Sequence, residues 1–139
     1  MEPLISIVDD DQAVREALQR MLRSYGFATA VFASAEQFLA SGRRCDASCL
    51  ILDVRMPGMT GLGLYRYLVS QGCRIPIILI TGSPTLGEQE QAKSMGVVSY
   101  LTKPVDERIL LDTLRGALQY DSRADDQVSR RRDIRAAAS

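Results

Sequence analysis

The chain has 139 residues, 46% of them hydrophobic, with 17 basic against 17 acidic side chains and no histidine. That length supports one compact domain with a true core plus a short extra segment. Neutral charge gives no electrostatic footprint for nucleic acid or anionic lipid. The missing histidine removes Ser-His-Asp triads, His-metal sites and phosphohistidine chemistry on this chain. No apolar run has the length of a membrane span and no leader pattern opens the chain, so a cytoplasmic location is expected. The cysteines Cys45, Cys49 and Cys73 are odd in number and lack CxxC spacing. They read as small packed apolar residues rather than a disulfide or zinc framework.

Apolar runs alternate with helix-period stretches. Leu4 to Val8 reads as a buried strand, and Asp11 to Tyr25 as an amphipathic helix with Val14, Leu18 and Leu22 on one side. Phe27 to Phe32 is a second strand. Ser34-Ala-Glu-Gln37 is a capping box opening a short helix that stops near Gly42. Cys49 to Val54 is an apolar run interrupted only by Asp53. Thr60 caps a helix that ends at Gly72, and Ile75 to Ile80 is the fourth strand. Ser83-Pro84 reads as an N-cap and first-turn pair for a helix ending at Gly96. That helix has few apolar positions and an internal glycine, Gly87, so a mobile or shortened element is expected. Val97 to Leu101 is the fifth strand, and Asp106 opens a last helix carrying Ile109, Leu110, Leu114 and Leu118. Five β-then-α units predict an α/β domain over residues 1–120, with a doubly wound parallel sheet of order 2-1-3-4-5. Residues 121–139 are polar with an Arg130-Arg131-Arg132 cluster, and read as a linker helix, a solvated tail or a disordered segment.

Ligands of such sheets bind at the carboxyl ends of the strands. There the sequence places Asp9, Asp10 and Asp11, then Asp53, Thr81 and Lys103-Pro104. Taken singly, each has an ordinary reading. The first acids can cap a helix, Asp53 and Lys-Pro can make turns, Thr81 can end a strand, and Tyr100 can fill a core. Jointly they suggest chemistry. Clustered carboxylates repel and call for a cation, and Mg²⁺ with oxygen ligands suits such a cluster and bridges to phosphate. A carboxylate nucleophile at Asp53 and an ammonium at Lys103 would then serve phosphoryl transfer. Lys103 is one of only two lysines beside fifteen arginines.

Ile7-Val-Asp-Asp-Asp11, Leu52-Asp-Val-Arg-Met-Pro-Gly-Met-Thr-Gly61, Ile80-Thr-Gly82 and Tyr100-Leu-Thr-Lys-Pro104 together resemble the receiver domains of two-component response regulators, and most of all the FixJ-type receivers. The likeness covers residues 4 to 118 and implies a flavodoxin-like fold. It implies Asp53 as phosphoacceptor, Asp10 as direct Mg²⁺ ligand, Asp9 as an acid holding the metal through water, and the main-chain carbonyl of Arg55 as a further ligand. Lys103 is implied as the phosphate-binding lysine with a cis bond to Pro104, Thr81 as the switch hydroxyl, and Tyr100 as the switch aromatic. The side chains of Arg55 and Ser83 lie where family members tune the lifetime of the acyl phosphate. The implied donor is a phosphohistidine on a separate sensor histidine kinase. The implied output face is the fourth helix, fifth strand and fifth helix, through which a homodimer forms. Self-catalysed phosphorylation and dephosphorylation are expected, not turnover of a separate substrate. An aspartyl-phosphate hydrolase of the haloacid-dehalogenase type needs a second acid where Arg55 stands, which argues against it. A receiver-shaped module working without phosphate stays open. So does the choice between a stand-alone receiver and one whose transcription-controlling output domain is absent from this chain.

Overall fold

The computed structural model describes residues 3–42 and 46–119. Five strands, β1 (Leu4–Val8), β2 (Ala28–Phe32), β3 (Cys49–Asp53), β4 (Ile77–Thr81) and β5 (Ser99–Thr102), form one sheet. Its order is β2-β1-β3-β4-β5 and every pairing is parallel. The expected doubly wound sheet is therefore the observed one. Between the strands lie α1 (Gln12–Ser24), α2 (Ala35–Ala40), α3 (Gly61–Ser70) and α4 (Leu86–Met95). A last helix, α5, occupies residues 107–119. The polar segment 121–139 with its arginine cluster, and Cys45, lie outside the described residues.

β3 and β4 are buried along their whole length, as strands covered on both faces must be. Alternate side chains feed two cores. Val8, Leu50, Leu52 and Leu79 face Phe38 of α2, Leu64 and Leu68 of α3 and Ala92 of α4. Ile5, Ile7, Ile51, Ile78 and Ile80 face Leu18 and Leu22 of α1 and Leu110 and Leu114 of α5. Each such fully buried aliphatic side chain contributes roughly 1.5–3 kcal/mol relative to an exposed one. Phe32 and Phe38 meet edge to face at 5.2 Å, fastening α2 to the edge strand.

The helix starts follow local hydrogen bonding. Asp11 caps α1 by accepting from the Ala13 N–H at 2.9 Å, and Thr60 caps α3 through the Gly63 N–H at 3.1 Å. Ser34 caps α2 as expected, but the Gln37 amide reaches Ala33 N rather than Ser34 N, so the box closes one residue early. α4 corrects the sequence reading. Its cap is Thr85, which accepts from Glu88 N at 3.2 Å, two residues after the expected Ser83. The Ser83 N–H turns back instead to Thr81 Oγ1 at 3.2 Å, which keeps Ser83 and Pro84 in the preceding loop. α4 is thus shorter than its sequence signals suggest, and Ala92 is its one fully buried residue. Strand β5 starts two residues later than expected, because the Val98 N–H bonds Ile77 O ahead of the regular ladder.

Cys49 packs fully buried in the second core, as expected of a small apolar residue, whereas Cys73 is disulfide-bonded, which corrects the expectation for that residue. Count and spacing do not reveal which distant cysteines meet in a fold.

Candidate phosphoacceptor site

The strand ends bring the expected residues to one edge. Asp9 follows β1, Asp53 ends β3, Thr81 ends β4 and Lys103 follows β5. Asp9, Asp53 and Thr81 are buried, whereas Asp10 is exposed beside them. Carboxylate oxygens of Asp9, Asp10 and Asp53 all lie within 4.8 Å of one another. Lys103 Nζ stands 2.9 Å from Asp9 Oδ2 and 3.4 Å from Asp53 Oδ2. One ammonium thus serves two buried carboxylates.

Backbone contacts hold these groups in place. Asp9 Oδ1 accepts from Asp11 N at 2.8 Å, and Arg15 Nη1 donates to the Asp9 carbonyl at 2.8 Å. Asp53 Oδ1 accepts from Arg55 N at 3.3 Å. The Lys103 N–H donates to Thr81 O at 2.7 Å, continuing the β4–β5 ladder past the strand end, and the Lys103-Pro104 peptide bond is cis. Behind Asp53 the packing is closest at Gly61, where a β-carbon would fall 2.3 Å from the Asp53 carbonyl oxygen. Only glycine permits that approach, and the Gly61 N–H uses it to reach Val54 O at 3.0 Å.

The electrostatics follow from this crowding. Burial, and then the charge of Asp9, push the Asp53 carboxyl up to about 6 against the opposing pull of Lys103. Burial disfavours the Lys103 ammonium, but the Asp9 and Asp53 carboxylates outweigh it and hold its pKa above the usual lysine value. Asp9 Oδ2 is fully buried, and among the described residues its one close partner is the Lys103 ammonium at 2.9 Å. A buried acceptor of this kind, in a cluster of hard oxygen donors, fits a small divalent cation.

Thr81 is fully buried, with its hydroxyl accepting from Ser83 N. Tyr100 is half-buried against the core, and its hydroxyl donates to Glu88 Oε2 at 3.3 Å. Burial first, then Glu88, raises the Tyr100 pKa above the usual phenol value, against an opposing backbone hydrogen bond at Thr85. The Arg55 side chain leaves the acceptor and crosses to the β4–α4 loop, where Nη2 meets Ser83 O at 3.1 Å and Glu88 Oε1 at 2.8 Å. Three contacts had no sequence signal. Glu88 reads only as a first-turn acid of α4, and Arg15 only as a polar position of α1. Glu36 reads as part of a capping box, yet accepts from Met59 N at 2.9 Å, a bond that holds its carboxyl below the usual range.

A doubly wound parallel sheet with acids and a lysine gathered at its carboxyl edge is the arrangement of a signal-receiver domain. The response regulator receiver domain family matches residues 5–115, and the chain belongs to that family. It is 45% identical over 116 residues to the response regulator protein TodT of Pseudomonas putida F1, covering 84% of this chain and 51% of TodT. It is 35% identical over 132 residues to the transcriptional regulatory protein FixJ of Rhizobium meliloti, covering 95% of this chain and 65% of FixJ. The solved structure of the response regulator StyR superposes with a TM-score of 0.87 at 35% identity, covering 98% of this chain and 69% of that one. The chain spans about half the length of TodT, and less than two thirds of FixJ.

Proposed function

We propose that this receiver domain takes a phosphoryl group from the phosphohistidine of a sensor histidine kinase onto Asp53. The observation that carries the reading is the pair of contacts from Lys103 Nζ to Asp9 and Asp53, with the Asp10 carboxylate alongside. An Asp53 oxygen attacks phosphorus. The P–N bond breaks, and its electron pair returns to the imidazole of the donor. Lys103 meets the negative oxygens of the transferred group, and the Arg55 N–H steadies the acceptor carboxylate. Asp9, Asp10, Asp53 and the Arg55 carbonyl would hold Mg²⁺, which neutralises charge on the carboxylates and the phosphoryl oxygens. The Thr81 hydroxyl then turns from Ser83 N to the phosphoryl group, and Tyr100 moves inward from Glu88.

The domain is a phosphoacceptor with self-catalysed loading and hydrolysis, not an enzyme acting on separate substrates. The cytoplasm is the compartment this reading implies. Among the described residues no helix is long and apolar enough to cross a membrane. We read α4, β5 and α5 as the output face and a homodimer as its product. Support comes from Leu86, Val98 and Ile109, which are exposed on or beside those elements. Control of transcription is the output we propose for the whole regulator, by similarity to FixJ. The domain itself has no role for direct nucleic-acid contact.

The test is incubation with acetyl phosphate and Mg²⁺, followed by intact mass and sizing. The expected result is one phosphoryl adduct that Asp53→Asn abolishes and that promotes dimerisation. No adduct on the wild-type chain would overturn the reading in favour of a phosphate-independent interaction module.

A further inference from the structure

The loop between β3 and α3 is closed at its base, where the Gly61 N–H reaches Val54 O at 3.0 Å. Residues 55–60 hang from that closure and are held on two sides. On the inner side the Arg55 N–H donates to Asp53 Oδ1, at the long distance of 3.3 Å. On the outer side the Met59 N–H donates to Glu36 Oε1 at 2.9 Å, across 23 residues of chain. Glu36 is a firm post. Its backbone lies between Ala35 and Phe38, both fully buried, and its carboxylate also takes bonds from its own N–H and from Ser34. The loop is shaped to meet it. Gly58 takes a φ of +79°, and a β-carbon there would displace that carboxylate, falling 2.7 Å from Oε1. Glycine suits both the backbone conformation and the close approach. Glu36 is exposed and stands outside the acid cluster of Asp9, Asp10 and Asp53. It reaches that cluster through the loop or through its charge, and the two routes can be separated.

We propose that Glu36 is a positioning residue for the acceptor site: by pinning Met59 it fixes the β3–α3 loop, and with it the Arg55 main chain that orients the Asp53 carboxylate for Mg²⁺. This rests on the reading of Asp53 as phosphoacceptor and of the Arg55 carbonyl as a metal ligand. The N–H and carbonyl of Arg55 belong to one residue, so a shift of the loop moves the donor to Asp53 and the metal ligand together. With Glu36 bonded, the loop holds both in place before the cation arrives. Without it the Met59 N–H turns to water and the outer limb of the loop drifts. The ordering is then supplied when Mg²⁺ binds, and affinity falls accordingly. The core beneath stays packed, because Val54 and Met56 are buried independently of Glu36.

The test is Mg²⁺ titration of the full chain by calorimetry, with solvent exchange of the Arg55 amide followed by NMR in the metal-free protein. Glu36→Ala is expected to bind Mg²⁺ about fivefold more weakly, less than the loss for a group bonded directly to a metal ligand, and its Arg55 amide to exchange faster. Glu36→Gln keeps an acceptor oxygen without the charge and retains the wild-type affinity. Gln37→Ala also strips a hydrogen bond from the start of α2, at Ala33 N, without touching the loop, and binds like wild type. Glu36→Gln as weak as Glu36→Ala would mean a remote effect of charge, and Gln37→Ala as weak would mean a loosened helix. Either result overturns the proposal. Wild-type affinity or an unchanged Arg55 amide in Glu36→Ala overturns it alone, leaving the acceptor assignment intact. Absence of Mg²⁺ binding by the wild-type chain overturns both.

Discussion

The carboxyl edge of the sheet and helix α4 are built on opposite terms. At the edge, Asp9, Asp53 and Thr81 are buried polar groups whose partners come from four different strand ends. In α4 one alanine is fully buried, and most other side chains face solvent. Charge confined in a core makes a site chemically poised and intolerant of change. A helix held by few contacts is tolerant and easily moved. The first property suits the phosphoryl transfer proposed for Asp53, and the second suits the proposed output surface.

The sharpest way to break this contrast is Lys103→Met. It strips the shared cation from Asp9 and Asp53, and the metal-free protein is expected to lose about 3 kcal/mol at pH 7 in urea unfolding. A loss under 1 kcal/mol would mean that the edge is far less constrained than its burial indicates. Gly61→Ala comes next. Its methyl group would collide with the Asp53 carbonyl, at an expected cost of about 2–3 kcal/mol by thermal melting.

Asp53→Asn goes the other way. The Asp53 carboxyl binds its proton more tightly in the folded chain than its ordinary pKa of 3.8 allows. Its contribution favours the folded state fully below 3.8 and is lost as pH rises through about 6. At pH 7 without metal, Asp53→Asn should therefore gain on the order of 2 kcal/mol, and the gain should vanish near pH 4. Mg²⁺ should raise the melting temperature of wild type more than that of the variant, and a chelator should reverse it. The charge arrangement proposed for phosphoryl transfer is thus set against stability. The smallest effect belongs to α4. Gly87→Ala meets nothing within 4 Å and should add about 0.5–1 kcal/mol to stability. A large loss there would show that α4 is as constrained as the edge.

The same contrast decided what the sequence could tell. Strand β1 was read to the residue, and Asp9, Asp53, Thr81 and Lys103 were placed correctly at strand ends, because buried strands write continuous apolar runs that stop at polar residues. Where few residues are buried, local signals compete. Ser83-Pro84 carries the sequence signal of a cap, yet the bond from the Ser83 N–H to Thr81 Oγ1 keeps it in the loop and Thr85 caps the helix instead. Contacts such as Arg55 to Glu88 join polar side chains distant in sequence. Polar surface carries no periodicity from which to foresee them, and the bonding of Cys73, a buried residue, is hidden because cysteine count and spacing do not show which cysteines meet.

Ala92 has a consequence of another kind. Ala92, the half-buried Met95 and the Tyr65 hydroxyl on the Met95 carbonyl hold α4 to the rest of the domain, so its solvent-facing positions can drift by mutation at little cost to folding. The proposed output face can thus change its partners through α4 while the residues of the carboxyl edge stay as they are.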